Sequence, residues 1–276
     1  MRRRSDRQNS FHVKANRTLD RELGQFNAMI QYQEIALLEL VKQTENAKND
    51  NYIYDLAKAY NIPLSHIPFD NCLSRLCQSY LIYPNACFDS FIDRFAKELK
   101  CLLRNYSTDQ VDGETKLAKV LNSLQKKYGI RIVIPQNLIS VYTYYRHSRN
   151  YLAHHNPNDL QLQKDFNQID IEDFLKLVPS WQGALKGCGI YTLDDAIAFS
   201  ALVKRLADTI SQQLYPQINW AYIDFEEDSE WMVFISRLKS KPDKKVSLQG
   251  FVKSKYGEQI PDSQINQLLE RLIGNN

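Results

Sequence analysis

The chain has 276 residues, enough for one sizeable core with an appendage or for two modest domains. Hydrophobic residues at 43% and charged residues at 24% exclude wholesale disorder, and nine Gly and nine Pro are too few for a turn-rich sandwich or barrel. The net charge of +3 permits an anionic partner without demanding one. No apolar run approaches the roughly 18 residues of a membrane span. Cys72, Cys77, Cys87, Cys101 and Cys188 are scattered, without a CxxC pair, and read as thiols of a reducing compartment rather than as zinc ligands or a disulfide framework. A mainly helical, cytoplasmic protein is expected.

In chain order, the start "MRRRSDRQNSFHVKANR" is basic but lacks the apolar stretch of a secretory signal. Residues 1–20 read as a disordered basic tail. From Arg21 to Asn46, the helical spacing of Phe26, Ile30, Ile35, Leu38 and Val41 predicts a helix. Shorter helices follow over 52–60 and 71–81, separated by "NIPLSHIPFD" with its two prolines. Phe88, Phe91, Ile92, Phe95, Leu99, Leu102 and Leu103 then trace one face of a helix over 86–106, and that face reads as core. A further helix spans 114–128, and "GIRIVIPQN" is a brief β-prone connector.

Residues 137–155, "NLISVYTYYRHSRNYLAHH", are closed by Asn156 and Pro157, a helix-stopping pair. With Arg149 at zero, Leu138, Val141, Tyr145 and Leu152 fall at about 280° to 340° around an ideal helix. Arg146, His147, Asn150 and His154 fall at about 60° to 160°, on a separate polar stripe. The stretch "NPNDLQLQKDFNQ" reads as a loop, "DIEDFLKLV" as a short helix, and "TLDDAIAFSALVKRLADTISQQL" as a helix over 192–214 with its own capping signal. Four helices, 86–106, 114–128, 136–155 and 192–214, suffice for a bundle, placed with its N-terminal extension in residues 21–216. Residues 217–276 read as a small C-terminal helical domain. Its patterns "SLQGFVKSKYG" and "DSQINQLLERLIG" have the outline of a helix-turn-helix, a shape that commonly only packs. No GxGxxG or GxxxxGK[ST] phosphate loop occurs.

The helix that carries this stripe contains "RNYLAH", Arg149 to His154. Arginine followed four to six residues later by histidine arises by chance about once in such a chain, and Arg7 with His12 supplies an instance in the basic tail. Asn150 directly after Arg149, and the amphipathic helix around both, make the second instance more specific. The segment resembles the RNxxxH signature of the HEPN superfamily, and the resemblance covers about residues 85–215. It implies an all-α, HEPN-like four-helix bundle with extra N-terminal helices and a small C-terminal helical segment. It also implies a homodimer with a composite site, and a metal-independent, cofactor-free endoribonuclease of a toxin–antitoxin or antiviral defence system, with an antitoxin or regulatory partner protein. Some toxin members carry a tyrosine two residues after the histidine. Here that position is Asn156, so control by modification of that tyrosine does not carry over. The doubled His154-His155 leaves the register open; His154 is preferred because it shares a stripe with Asn150 and Arg146.

These residue types suit cleavage in which the RNA 2′-hydroxyl attacks its neighbouring phosphate. His154 would move a proton near neutral pH, Arg149 would hold the phosphate and the charge of the transition state, and Asn150 would orient by hydrogen bonding. Arg146, His147 and His155 would add substrate contacts. Tyr144, Tyr145 and Tyr151 read first as packing and second as stacking surface for bases. Arg149 and His154 point about 140° apart on one ideal helix, a difficulty that fraying before Pro157 or a pairing of two protomers would resolve; the resemblance implies the pairing. The helix C-terminus alone favours cations, which accounts for the charge but not for Asn150 or the stripe. A metal site of His147, His154 and His155 lacks a nearby carboxylate or cysteine in sequence. The alternative function is a non-catalytic HEPN-like module that binds RNA or protein.

Overall fold

The computed structural model describes residues 10–47, 49, 51–64, 69–109, 112–154, 159–177, 183–238 and 240–274. Among these the chain is all-helical: no strand forms, Gly187 and Ile190 make an isolated bridge, and the β-prone connector before Gln136 stays irregular. The helices are α1 (Lys14–Ala47), α2 (Tyr52–Ala59), α3 (Phe69–Tyr80), α4 (Ile82–Leu102), α5 (Lys116–Tyr128), α6 (Gln136–His154), α7 (Asp159–Asn167), α8 (Ile171–Leu177), α9 (Leu193–Leu214), α10 (Ser229–Leu238), α11 (Lys244–Tyr256) and α12 (Asp262–Gly274). No helix among the described residues is long and apolar enough to cross a membrane.

Several elements differ from the expectation: α4 runs Ile82–Leu102 rather than over 86–106, and α10 forms in a stretch not read as a helix. Helix α1 begins at Lys14, inside the stretch read as tail. Its first N–H groups have partners: Lys14 N and Ala15 N donate to the Glu98 carboxylate at 2.9 and 2.7 Å, which satisfies orphan donors and places a carboxylate at a helix N-terminus. Phe11 and Val13 just before it are buried. The remainder of that tail, residues 1–9, lies outside the described residues. Helix α7 occupies the stretch read as a loop.

Contacts divide the chain into two compact units, neither of them contiguous: residues 1–20, 86–135 and 203–276 form one, and residues 21–85 and 136–202 the other. The C-terminal sixty residues therefore share a unit with residues 86–135 rather than standing alone. The boundaries at 20/21, 85/86 and 202/203 fall inside α1, α4 and α9. A continuous helix shows no linker composition, so hydropathy gives no sign of the division.

In the first unit, the Phe88, Phe91 and Phe95 rings stack in succession at 5.6 and 5.5 Å, and Ile92 and Leu99 are buried with them, as the spacing predicts. Helix α5 is capped by the Thr115 hydroxyl, which accepts from Ala118 N at 3.1 Å, and ends at Gly129 with φ 68°. Nearer the C-terminus, buried Trp231 donates from Nε1 to Tyr256 Oη at 3.0 Å. The buried Lys255 ammonium is paired with Asp228 at 3.0 Å and Glu230 at 2.7 Å. Gln249 bonds both the N–H and the C=O of Ile260, fixing the turn between α11 and α12.

In the second unit, α6 packs against α3, α7 and α8. Leu138, Val141 and Tyr145 are buried as predicted, and so are Ser140, Tyr142, Tyr144 and Ser148. The start of α6 is tied to α8 by Asn137, whose amide donates to Asp170 O and Asp173 Oδ2 and accepts from Asp170 N. The first half of α1 within this unit buries Leu23, Phe26 and Ile30, but Ile35 and Leu38 are each 64% exposed.

Candidate functional site: the polar stripe of helix 136–154

The buried face of α6 is wide. It includes Tyr144 and Ser148 as well as the expected apolar set. Arg146, His147, Arg149 and Asn150 sit beside that face, each half-buried. Burial at this depth forces polar groups to find partners, and these four do so largely among themselves and with α7.

His147 is bonded through both ring nitrogens. Its Nδ1 lies 2.5 Å from Asp165 Oδ2, and its Nε2 lies 2.8 Å from an Arg146 guanidinium nitrogen. A guanidinium has donors only, so Nε2 accepts and the ring proton resides on Nδ1, which donates to Asp165. The Asp165 side chain is 6% exposed against 29% for His147, and its second oxygen accepts from Gln161 Nε2 at 2.9 Å. The carboxylate is therefore held on both sides.

Arg149 projects next to the buried face. Its Nη1 donates to Asn150 Oδ1 at 2.9 Å, while its Nε is buried and has no hydrogen-bond partner among the described residues. An unmet guanidinium donor is costly, and an oxyanion is the partner that its fork fits best. The backbone of α6 continues through His154, but the His154 side chain and the whole of His155 lie outside the described residues. The structure thus brings Arg146 to His147 and Arg149 to Asn150, and leaves the two remaining histidines of the cluster undescribed.

The tyrosines divide by burial. Tyr144 and Tyr145 are fully packed and offer no surface for a base. Tyr144 packs edge-on against Phe166 at 5.2 Å, and its hydroxyl accepts from Gly189 N at 3.1 Å. Tyr145 stacks on Phe199 at 4.9 Å and donates to Asp195 Oδ1 at 2.8 Å. Burial and the Asp195 carboxylate push the Tyr145 phenol well above its ordinary range. Tyr151 is half-buried.

Asp165 was not singled out from the sequence. Its signal was present: Leu162, Asp165 and Phe166 fall on one helical stripe, and Leu162 and Asp165 are both buried. A carboxylate at an apolar position marks a partnered charge, but only once the segment is read as a helix.

A second feature of this unit is an apolar groove of about 580 Å³, lined by Leu37, Leu38, Leu73, Cys77, Ile190 and Leu193, with Glu34 and Asp194 among its walls. Burial pushes the Cys77 thiol up, as expected of a side chain that packs. Among the described residues, no three His, Cys, Asp or Glu side chains are grouped to hold a metal ion. Compared with protein-family models, with curated proteins and with solved structures, the chain matches none.

Proposed function

We propose that the chain is a metal-independent endoribonuclease of HEPN type, acting as a toxin or antiviral defence effector. In this reading two copies of the chain pair so that their α6 stripes complete one site. Arg149 holds the scissile phosphate and the extra charge of the transition state. Asn150 orients the guanidinium, and His154 exchanges a proton with the reacting oxygens. The products carry 2′,3′-cyclic phosphate and 5′-hydroxyl ends. Arg146, His147 and His155 contact the RNA. A regulatory partner such as an antitoxin restrains the activity in the cytoplasm.

The observation that carries this reading is Arg149 itself. Its guanidinium is anchored by the adjacent Asn150, and its buried Nε donor has no hydrogen-bond partner among the described residues, at the position of the motif arginine. The test is incubation of the purified protein with total tRNA and rRNA in EDTA, followed by analysis of the fragment ends. Cuts with cyclic phosphate ends are expected, reduced at least about a hundredfold in Arg149→Ala and in His154→Ala. Full activity in both variants would sink the assignment.

The second reading, a non-catalytic module that binds protein or RNA, is favoured by the apolar groove beside exposed Leu38 and Ile190. Partner binding that survives both substitutions, with intact RNA throughout, is its expected signature.

A further inference from the structure

We propose that His147 is a second catalytic histidine of this site, the general base that takes the 2′-hydroxyl proton. Asp165 is its positioning residue, and Arg146 covers its basic nitrogen until substrate arrives. The inference rests on the ribonuclease reading above and extends it to residues outside the RNxxxH motif.

The imidazole is set up as a base rather than as a charge for the RNA backbone. Its Nδ1–H is fixed on a buried carboxylate at 2.5 Å, which selects one tautomer and one ring orientation and stabilises the imidazolium formed when the other nitrogen takes a proton. That other nitrogen, Nε2, is the acceptor of an Arg146 N–H at 2.8 Å. With Nε2 accepting from Arg146 and Nδ1 facing Asp165, the ring presents its lone pair at Nε2, the atom a base must offer. A purely structural His–Asp pair would have no need of a guanidinium across its free face.

Substrate resolves the contact. An incoming phosphate offers the Arg146 fork an anion with two acceptor oxygens, a stronger partner than a neutral imidazole. As Arg146 turns to the phosphate, the Nε2 lone pair is uncovered beside it. His147 and Asn150 are three residues apart, and Asn150 and position 154 are four apart, so the three positions follow one another along one stripe of α6. In the reaction the 2′-hydroxyl proton passes to His147 Nε2, and the 2′ oxygen bonds to phosphorus. The bond from phosphorus to O5′ breaks, and O5′ takes a proton from His154. The imidazolium of His147 then releases its proton to solvent.

The test uses full-length protein, end-labelled tRNA and single-turnover cleavage. In His147→Ala the rate is expected to fall about a hundredfold or more, and added imidazole is expected to restore part of it. Rescue of that kind marks a missing base and is not given by a repaired scaffold. Ring ¹⁵N spectra give a readout independent of cleavage. In the free protein His147 is expected to show a protonated Nδ1 and a bare Nε2, with the Nε2 signal shifting when inorganic phosphate is added. In Arg146→Ala that shift is lost, and in Asp165→Asn the single tautomer gives way to a mixture. If His147→Ala does not fold, the Asp165→Asn and Arg146→Ala spectra decide. Unimpaired cleavage in His147→Ala, or a His147 ring protonated at Nε2 in the free protein, overturns the proposal while leaving the ribonuclease reading intact, provided His154→Ala is inactive. Intact RNA with the wild-type protein overturns both.

Discussion

The Asp195 carboxylate accepts four hydrogen bonds, from Tyr145 Oη at 2.8 Å, Leu185 N at 2.9 Å, Thr192 N at 2.7 Å and Thr192 Oγ1 at 2.8 Å. It closes the first turn of α9, orients a buried tyrosine of α6 and holds Leu185 in the left-handed region at φ 57°. Asp195→Ala would leave these donors unsatisfied in a buried setting, so a loss of about 2–4 kcal/mol is expected from urea unfolding, with Asp195→Asn costing less. Only its capping part was legible in sequence, where "TLDD" carries the spacing of a reciprocal cap; its bonds to Tyr145 and Leu185 were not. Nor was Asp165: its role depends on His147, eighteen residues away, and no local rule connects the two. Arg146 and His147 were legible as a charge cluster. Their mutual bond, and the tautomer it dictates, were not.

At the scale of elements, helix periodicity and stop signals placed most long helices, because amphipathic spacing and capping are local properties. Helix α5 is the clearest case: Thr115 caps its start and Gly129 its end. Thr115→Ala is expected to cost about 1 kcal/mol of stability in denaturant unfolding, and Thr115→Ser to restore most of it. Helix α7 escaped notice because Leu160, Leu162 and Phe166 are its apolar residues, and Leu160 is exposed. Half of its buried stripe is the Asp165 carboxylate, which hydropathy counts as surface. The second half of α1 misled in the opposite direction. Its Ile35 and Leu38 keep helical spacing yet remain exposed, since spacing reports that a face exists and not that the described chain covers it.

For the molecule as a whole, the first unit carries a linked set of charges whose response to acid has a definite sign. Glu230 is held down to about 2 from its ordinary 4.5 by hydrogen bonds from Lys14 and Lys255. A carboxylate depressed on folding stabilises above its unfolded value and loses that contribution as pH falls through the folded one. Thermal unfolding followed from pH 5 down to pH 2 is expected to show a decline that is shallower in Glu230→Gln. The half-buried Glu98, whose carboxylate meets the start of α1, is shifted upward by desolvation, so it adds an opposing slope above its ordinary 4.5, which Glu98→Gln would remove. By itself the sequence determined the helical class, the approximate positions of most long helices and the RNxxxH spacing, since all three depend on residues within a few turns of one another. Only the tertiary structure decided that residues 10–20 join a core, that contacts divide the chain inside its long helices, and that a carboxylate from α7 grips His147. Those outcomes depend on contacts between residues far apart in the chain, and side-chain spacing along one helix carries no information about what packs across from it.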